Sequence, residues 1–308
     1  MIDCDPGIDD ALSLALALQS PEVDLLGITT VTGNVPVSAT TRNALRLLRA
    51  LGRDDVPVAA GAARGLVRAH GLHPPIHGSN GLGDVELPEA AAAVRPEHAV
   101  EFIAGLLRAA APGSVTIAAI GPLTNIALLV ALHPELMDRV ARLIVMGGTA
   151  SRGNCTPVAE FNVWADPEAA HRVLAESDLD VCLVGLDVTR RAIVDEADLD
   201  LLRAGSERGA LLADMVLGYA DHPPGGWPLH DALAIASVVD PSLLHTRPSA
   251  VTVDTGFSVS RAQTVYAFDP LPGEPQPTTP RNDRRVQVAL DVDAERFRTF
   301  LRSRLTSI

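Results

Sequence analysis

The chain has 308 residues, of which 47% are apolar and 20% charged, with a net charge of −13. That much apolar material excludes a disordered chain, and the acidic balance excludes nucleic acid as a partner, because phosphates need a basic surface. All 25 basic residues are arginine, which excludes a Schiff-base lysine and a phosphate loop of the usual lysine-bearing kind.

The elements follow in chain order. Residues 3–5 read as the end of a short strand, and residues 9–18 as a helix. A strand is expected at 23–31, a helix at 39–51 and a strand at 56–60. Residues 61–95 form a long loop carrying His70, His73 and His77; loops of that length are often functional. A helix at 97–110, strand at 114–120, helix at 122–132 and strand at 142–146 come next. The helix at 167–176 has Asp166 as its N-cap and Pro167 in its first position. A strand at 180–186, a helix at 207–219, a Pro/Gly loop at 221–228 with the composition of a lid, and a helix at 229–238 follow. Strands at 251–254, 264–268 and 286–290 precede a last helix at 294–304, with four prolines marking 271–283 as a surface loop. Val/Ile-rich runs alternating with helical segments predict an α/β fold, a mainly parallel central sheet flanked by helices. One domain, residues 1–308, is expected.

Cys4, Cys155 and Cys182 are widely spaced and form no CxxC pair, so a reduced, cytoplasmic chain is expected. The opening holds four carboxylates in ten residues, unlike the basic-then-apolar pattern of a signal peptide. No apolar run approaches the roughly 18 residues of a membrane span, so no membrane association is expected.

The strongest signal is Asp3-Cys4-Asp5-Pro6-Gly7-Ile8-Asp9-Asp10. On a strand Asp3 and Asp5 share a face; Pro6 and Gly7 turn the chain, and Asp9 and Asp10 open the helix. Four carboxylates around one turn repel one another unless a cation neutralises them. Oxygen ligands without His or Cys point to Ca²⁺ or Mg²⁺. An EF-hand is excluded, since its twelfth position would be Leu14. Further polar groups follow other strands: Asn34; Thr124 and Asn125; Asn154, Glu160 and Asn162; and His230-Asp231 at the 229–238 helix. Open α/β sheets place ligands at that edge.

These blocks carry a family resemblance. DxDPGxDD, TTVTGN, GPLTNIAL, PVAEFNVWADPEAA, LHDALA and VQVALDVDAERF together resemble the inosine–uridine nucleoside hydrolase family over nearly the whole chain. The resemblance implies a Rossmann-like fold and Ca²⁺-dependent hydrolysis of the N-glycosidic bond of ribonucleosides. By matched position it implies Asp5, Asp10, Asp231 and the Thr124 main-chain carbonyl as calcium ligands, with Asp5 also the general base. Asp9, Asn34 and Asn162 would hold ribose hydroxyls, and Asn154 and Glu160 its 5′ side. Asp3 would support Asn34 or Asp5. His77 matches a base-pocket position. His230 matches the acid that protonates the departing base, or else only orients Asp231. Retention of His230 implies the inosine–uridine type or a pyrimidine preference, with Trp227 either stacking on a base or anchoring the loop. A homodimer or homotetramer is also implied.

Two rivals remain at this point. Asp-x-Asp at a strand end also opens haloacid dehalogenase-like phosphatases, but those need Thr or Val where Gly7 stands, and a later Lys or Arg. The other is a calcium-dependent nucleoside or ribose binder without turnover.

Overall fold

Side chains on the central strands alternate between two apolar layers, and that alternation sets the architecture. In the strand Val115–Ala119, Val115, Ile117 and Ala119 join one core, while Ala118 and the following Ile120 join the other. A strand buried on both faces belongs to a parallel sheet covered by helices on either side. The computed structural model describes residues 1–68, 76–220, 222–268, 286–306 and 308.

In chain order the elements are β1 (Ile2–Cys4), α1 (Ile8–Leu18), β2 (Ile28–Thr30), α2 (Val37–Leu51), β3 (Val58–Ala60), α3 (Ala99–Ala109), β4 (Val115–Ala119), α4 (Thr124–Leu132), β5 (Val140–Met146), α5 (Phe161–Ala165) and α6 (Pro167–His171). There follow β6 (Val181–Val184), α7 (Leu186–Thr189), β7 (Ile193–Val194), α8 (Glu196–Gly205), α9 (Glu207–Leu217), β8 (Trp227–Pro228), α10 (His230–Val239), β9 (Leu244–Val253), β10 (Thr264–Phe268), β11 (Val286–Val292) and α11 (Ala294–Leu305). The sheet runs β10-β9-β11-β6-β5-β4-β1-β2-β3. Neighbours from β3 to β11 are parallel, while β9 and β10 close one edge antiparallel. The chain winds outward from β1 to β3 on one side and from β4 to β6 on the other. The strand order therefore reverses between β1 and β4, and the carboxyl ends there open the crevice where such sheets bind ligands.

The α/β fold agrees with the expectation, with local differences. The expected strand 23–31 forms a ladder only over Ile28–Thr30; Leu25 and Leu26 pack on the cores without strand partners. The strand expected at 251–254 begins at Leu244, pairing with β11. The helix expected at 167–176 is regular to His171 and widens into a π-turn over Arg172–Glu176. Helices α5, α7 and α8 were not anticipated. In α8 the signal was there: Asp195 caps the N–H of Asp198 while Asp198 reaches back to that of Asp195, which is a capping box.

The described parts of 61–95 hold one bridge, between Ala59 and Arg95, and no longer ladder. His70, His73, Asp221 and the loop 271–283 lie outside the described residues. All three cysteines are free. No helix among the described residues is long and apolar enough to cross a membrane.

Candidate active site

The turn after β1 is built around its own carboxylates. Asp10 folds back over it, accepting the N–H groups of Gly7 at 2.8 Å and Asp5 at 3.3 Å. Asp5 sits between two glycines at neighbouring strand ends. A Cβ on Gly33 would stand 1.9 Å from Asp5 Oδ2, and one on Gly121 would stand 2.6 Å from Oδ1. Only glycine leaves room for the carboxylate there. Asn34 donates its main-chain N–H to Asp5 Oδ2 at 2.7 Å and its amide to the Asp5 carbonyl at 3.2 Å.

Helix α10 runs beside α1 and delivers Asp231 to the same place. Asp9, Asp10 and Asp231 each offer an oxygen within 4.8 Å of the other two, and all three are buried. Burial first, then the neighbouring carboxylates, pushes Asp231 and Asp5 well above the usual carboxylate range and Asp10 up to about 7. Such a cluster fits a hard cation with oxygen ligands, which would repay the repulsion. Thr124 departs from its expected place. It is the first residue of α4, so its carbonyl points along that helix, and its hydroxyl donates to Asp166 at 2.7 Å. Ile120, which follows β4, does line the cavity.

The cavity above the cluster has a volume of about 500 Å³. Asp5, Asp9, Asn34, Glu160, Asn162 and Asp231 line its buried end, and Asn154 stands on the wall from the loop after β5. Asn162 donates its amide to the carbonyls of Ile120 at 2.9 Å and Met146 at 3.1 Å, bridging the ends of β4 and β5. Both amide hydrogens are thereby occupied, so its oxygen is what remains for a ligand. Glu160 caps α5, accepting N–H groups from Asn162, Val163 and Gly148; burial pushes its carboxyl up to about 7.

His77, Tyr219, Arg190, Trp227 and His230 also line the cavity. His77 Nδ1 accepts the N–H of Ile8 at 3.1 Å, which leaves Nε2 as the protonated nitrogen of the neutral ring. Its ring packs against Tyr219 at 5.3 Å. His230 Nδ1 meets the Thr189 hydroxyl at 2.7 Å. Burial holds His230 below the ordinary histidine value, opposed by the Asp9 charge. Trp227 is buried, its main chain paired with Val194 and its ring edge-on to His222 at 5.6 Å.

Asp3 stands behind the site. Its Oδ1 accepts the Thr29 hydroxyl at 2.6 Å and the Asn125 amide at 2.8 Å, tying β1 to β2 and α4. It bonds neither Asn34 nor Asp5, contrary to expectation. Arg190, Thr189, Tyr219 and Ile120 are the site residues that the sequence did not single out. Thr189 ends α7 after β6, a helix too short for its periodicity to show, and Arg190 follows it.

The family model described as inosine-uridine preferring nucleoside hydrolase matches residues 1–299. A pyrimidine-specific ribonucleoside hydrolase RihA of Klebsiella pneumoniae is 41% identical, covering 99% of this chain and 97% of its own, and one of Escherichia coli is 39% identical over the same shares. Among solved structures, a plant nucleoside hydrolase is 32% identical with a TM-score of 0.90, over 100% of this chain and 98% of its own. A purine-preferring ribonucleoside hydrolase from Gardnerella vaginalis is 34% identical with a TM-score of 0.88, over 99% and 97%. The chain thus belongs to the inosine-uridine preferring nucleoside hydrolase family, enzymes that cleave the N-glycosidic bond of ribonucleosides.

Proposed function

We propose that the protein hydrolyses ribonucleosides to ribose and free base in a Ca²⁺-dependent reaction, with Asp5 as general base and His230 as the acid for the leaving base. The observation that carries this reading is the composition of one cavity. Four carboxylates and three side-chain amides line it together with two imidazoles and a guanidinium. Glycosidic cleavage develops positive charge on the sugar and negative charge on the base. A sugar held by the carboxylates and amides and a base against the histidines match that charge separation.

Asp5, Asp10 and Asp231 would hold the ion with one main-chain oxygen, for which Ile120 at the cavity wall is a better candidate than Thr124. Ca²⁺ when bound supplies the positive charge that makes a neighbouring water acidic and holds the ribose hydroxyls. Asp5 takes the proton from that water; the bond from Asn34 to its Oδ2 fixes the carboxylate's direction. Asp9, Asn34 and Asn162 hold the ribose, and Asn154 and Glu160 its 5′ side. His77 faces the base. His230, steadied by Thr189, returns a proton to the base nitrogen; a buried imidazole of lowered pKa is a stronger acid, though less populated in its charged form. The same reading makes the protein a cytoplasmic homo-oligomer of one domain.

Ribose release from inosine, uridine, cytidine and adenosine, with Ca²⁺ and after EDTA, tests it. Release that chelation stops and Ca²⁺ restores is the expected result. No release from any of the four with the metal bound overturns the function.

A further inference from the structure

Arg190 is the only arginine among the described residues of the cavity wall. It follows Thr189, whose hydroxyl touches His230, so its backbone is fixed beside the wall assigned to the leaving base. Its guanidinium donates through Nη1 to the Arg152 carbonyl at 2.6 Å and through Nη2 to the Gly153 carbonyl at 2.8 Å. An arginine has five N–H donors. Among the described residues the other three have no acceptor, and the residue is half-buried, whereas Asp5, Asp9 and Asp231 are at most 6% exposed. A base that meets His230 comes beside Arg190, the residue after Thr189.

We propose that Arg190 is a specificity-determining residue that binds an exocyclic oxygen on the far edge of the leaving base, so that oxo bases are cleaved faster than their amino counterparts; this rests on the function proposed above. When the C1′–N bond breaks, its electron pair passes to the base nitrogen and spreads to the exocyclic oxygen. Water supplies the group that joins C1′ and, through the acid, the proton that neutralises the base. Arg190 gives up no proton. It stabilises the charged oxygen through hydrogen bonds whose direction is already set by the 152 and 153 carbonyls. An exocyclic amino group turns donors toward donors and loses that interaction.

The test is kcat/KM for uridine, cytidine, inosine and adenosine on the Ca²⁺-loaded wild type, Arg190→Met and Arg190→Lys. Arg190→Met should lose roughly 10–100-fold on uridine and inosine and less than about threefold on cytidine and adenosine. Arg190→Lys should keep part of the discrimination. Equal losses on all four substrates would mean that Arg190 only ties down the loop bearing Asn154, and would overturn the proposal while leaving the function intact. Unchanged base ratios in Arg190→Met would overturn it as well. A wild type inactive on all four overturns the function reading, and this proposal with it.

Discussion

Replacing Asp231 by Asn separates what the carboxylate cluster costs the fold from what it does for the reaction. Asp231 is buried at the start of α10, and no donor among the described residues bonds its carboxylate. Its oxygen lies within 4.8 Å of one from Asp9 and one from Asp10. At an effective dielectric near ~20, two charges that far apart repel by about 3 kcal/mol. A carboxylate under that load takes up a proton before bearing the whole penalty, so neutralising one relieves less, about 1–3 kcal/mol. The sign with pH follows from the raised pKa values. Asp10 is pushed up to about 7 and Asp231 well above its ordinary value, so the folded state binds these protons more tightly than the unfolded chain. Their contribution to stability is full below about pH 4 and is lost as the pH rises towards 7 and beyond. Denaturant melts at pH 5 and pH 8, in EDTA and in Ca²⁺, read this directly. Wild type in EDTA should lose stability between the two pH values, and Ca²⁺ should restore more at pH 8 than at pH 5. Asp231→Asn in EDTA at pH 8 should be about 1–3 kcal/mol more stable than wild type, gain little from Ca²⁺, and release ribose on the order of 10³-fold more slowly. A variant less stable than wild type in EDTA, or one stabilised equally by Ca²⁺, would refute the reasoning.

The other predictions touch single contacts. Gly33→Ala removes no functional group, yet its Cβ would meet Asp5 Oδ2 at 1.9 Å; it should abolish ribose release and Ca²⁺ stabilisation together, and a variant of normal activity would show that the carboxylate's position is not critical. Asn162→Ala leaves the carbonyls of Ile120 and Met146 without their amide partner; denaturant melts should show a loss of about 2–4 kcal/mol, and kinetics a raised KM. His230→Ala should slow natural nucleosides severely while sparing nitrophenyl riboside, whose leaving group needs no proton. Equal losses on both would reduce His230 to an organiser of Asp231.

How far the sequence could be read depended on the distance between cooperating residues. The acidic turn was legible because Asp5, Asp9 and Asp10 lie within six residues, and repulsion at that range favours a cation or proton uptake whatever the fold. Asn34, Asn162 and Asp231 are harder to connect, since each is one polar residue at the end of a different strand or helix. The recurring blocks joined them through a family resemblance before any geometry did. Thr124 is a harder case: it opens α4 with its hydroxyl taken by Asp166, while Ile120, just after β4, lines the cavity. The strand expected at 23–31 is shortened to Ile28–Thr30, since Val23–Leu26 has no ladder partner.

Base recognition follows a different logic. Arg190 matters only because its guanidinium meets carbonyls 37 and 38 residues earlier, and Trp227 only because it pairs with Val194. Neither relation has a local pattern to read. A pyrimidine-specific relative at 41% identity and a purine-preferring one at 34% both align over nearly the whole chain. In this chain the carboxylates come from the turn after β1 and the starts of α5 and α10, while the surroundings of Arg190 and Trp227 are assembled from the segment after α7 with β7 and β8. Substitutions in those surroundings should reorder the preferred bases without moving the Ca²⁺ dependence, and substitutions of the carboxylates should remove all activities in equal measure.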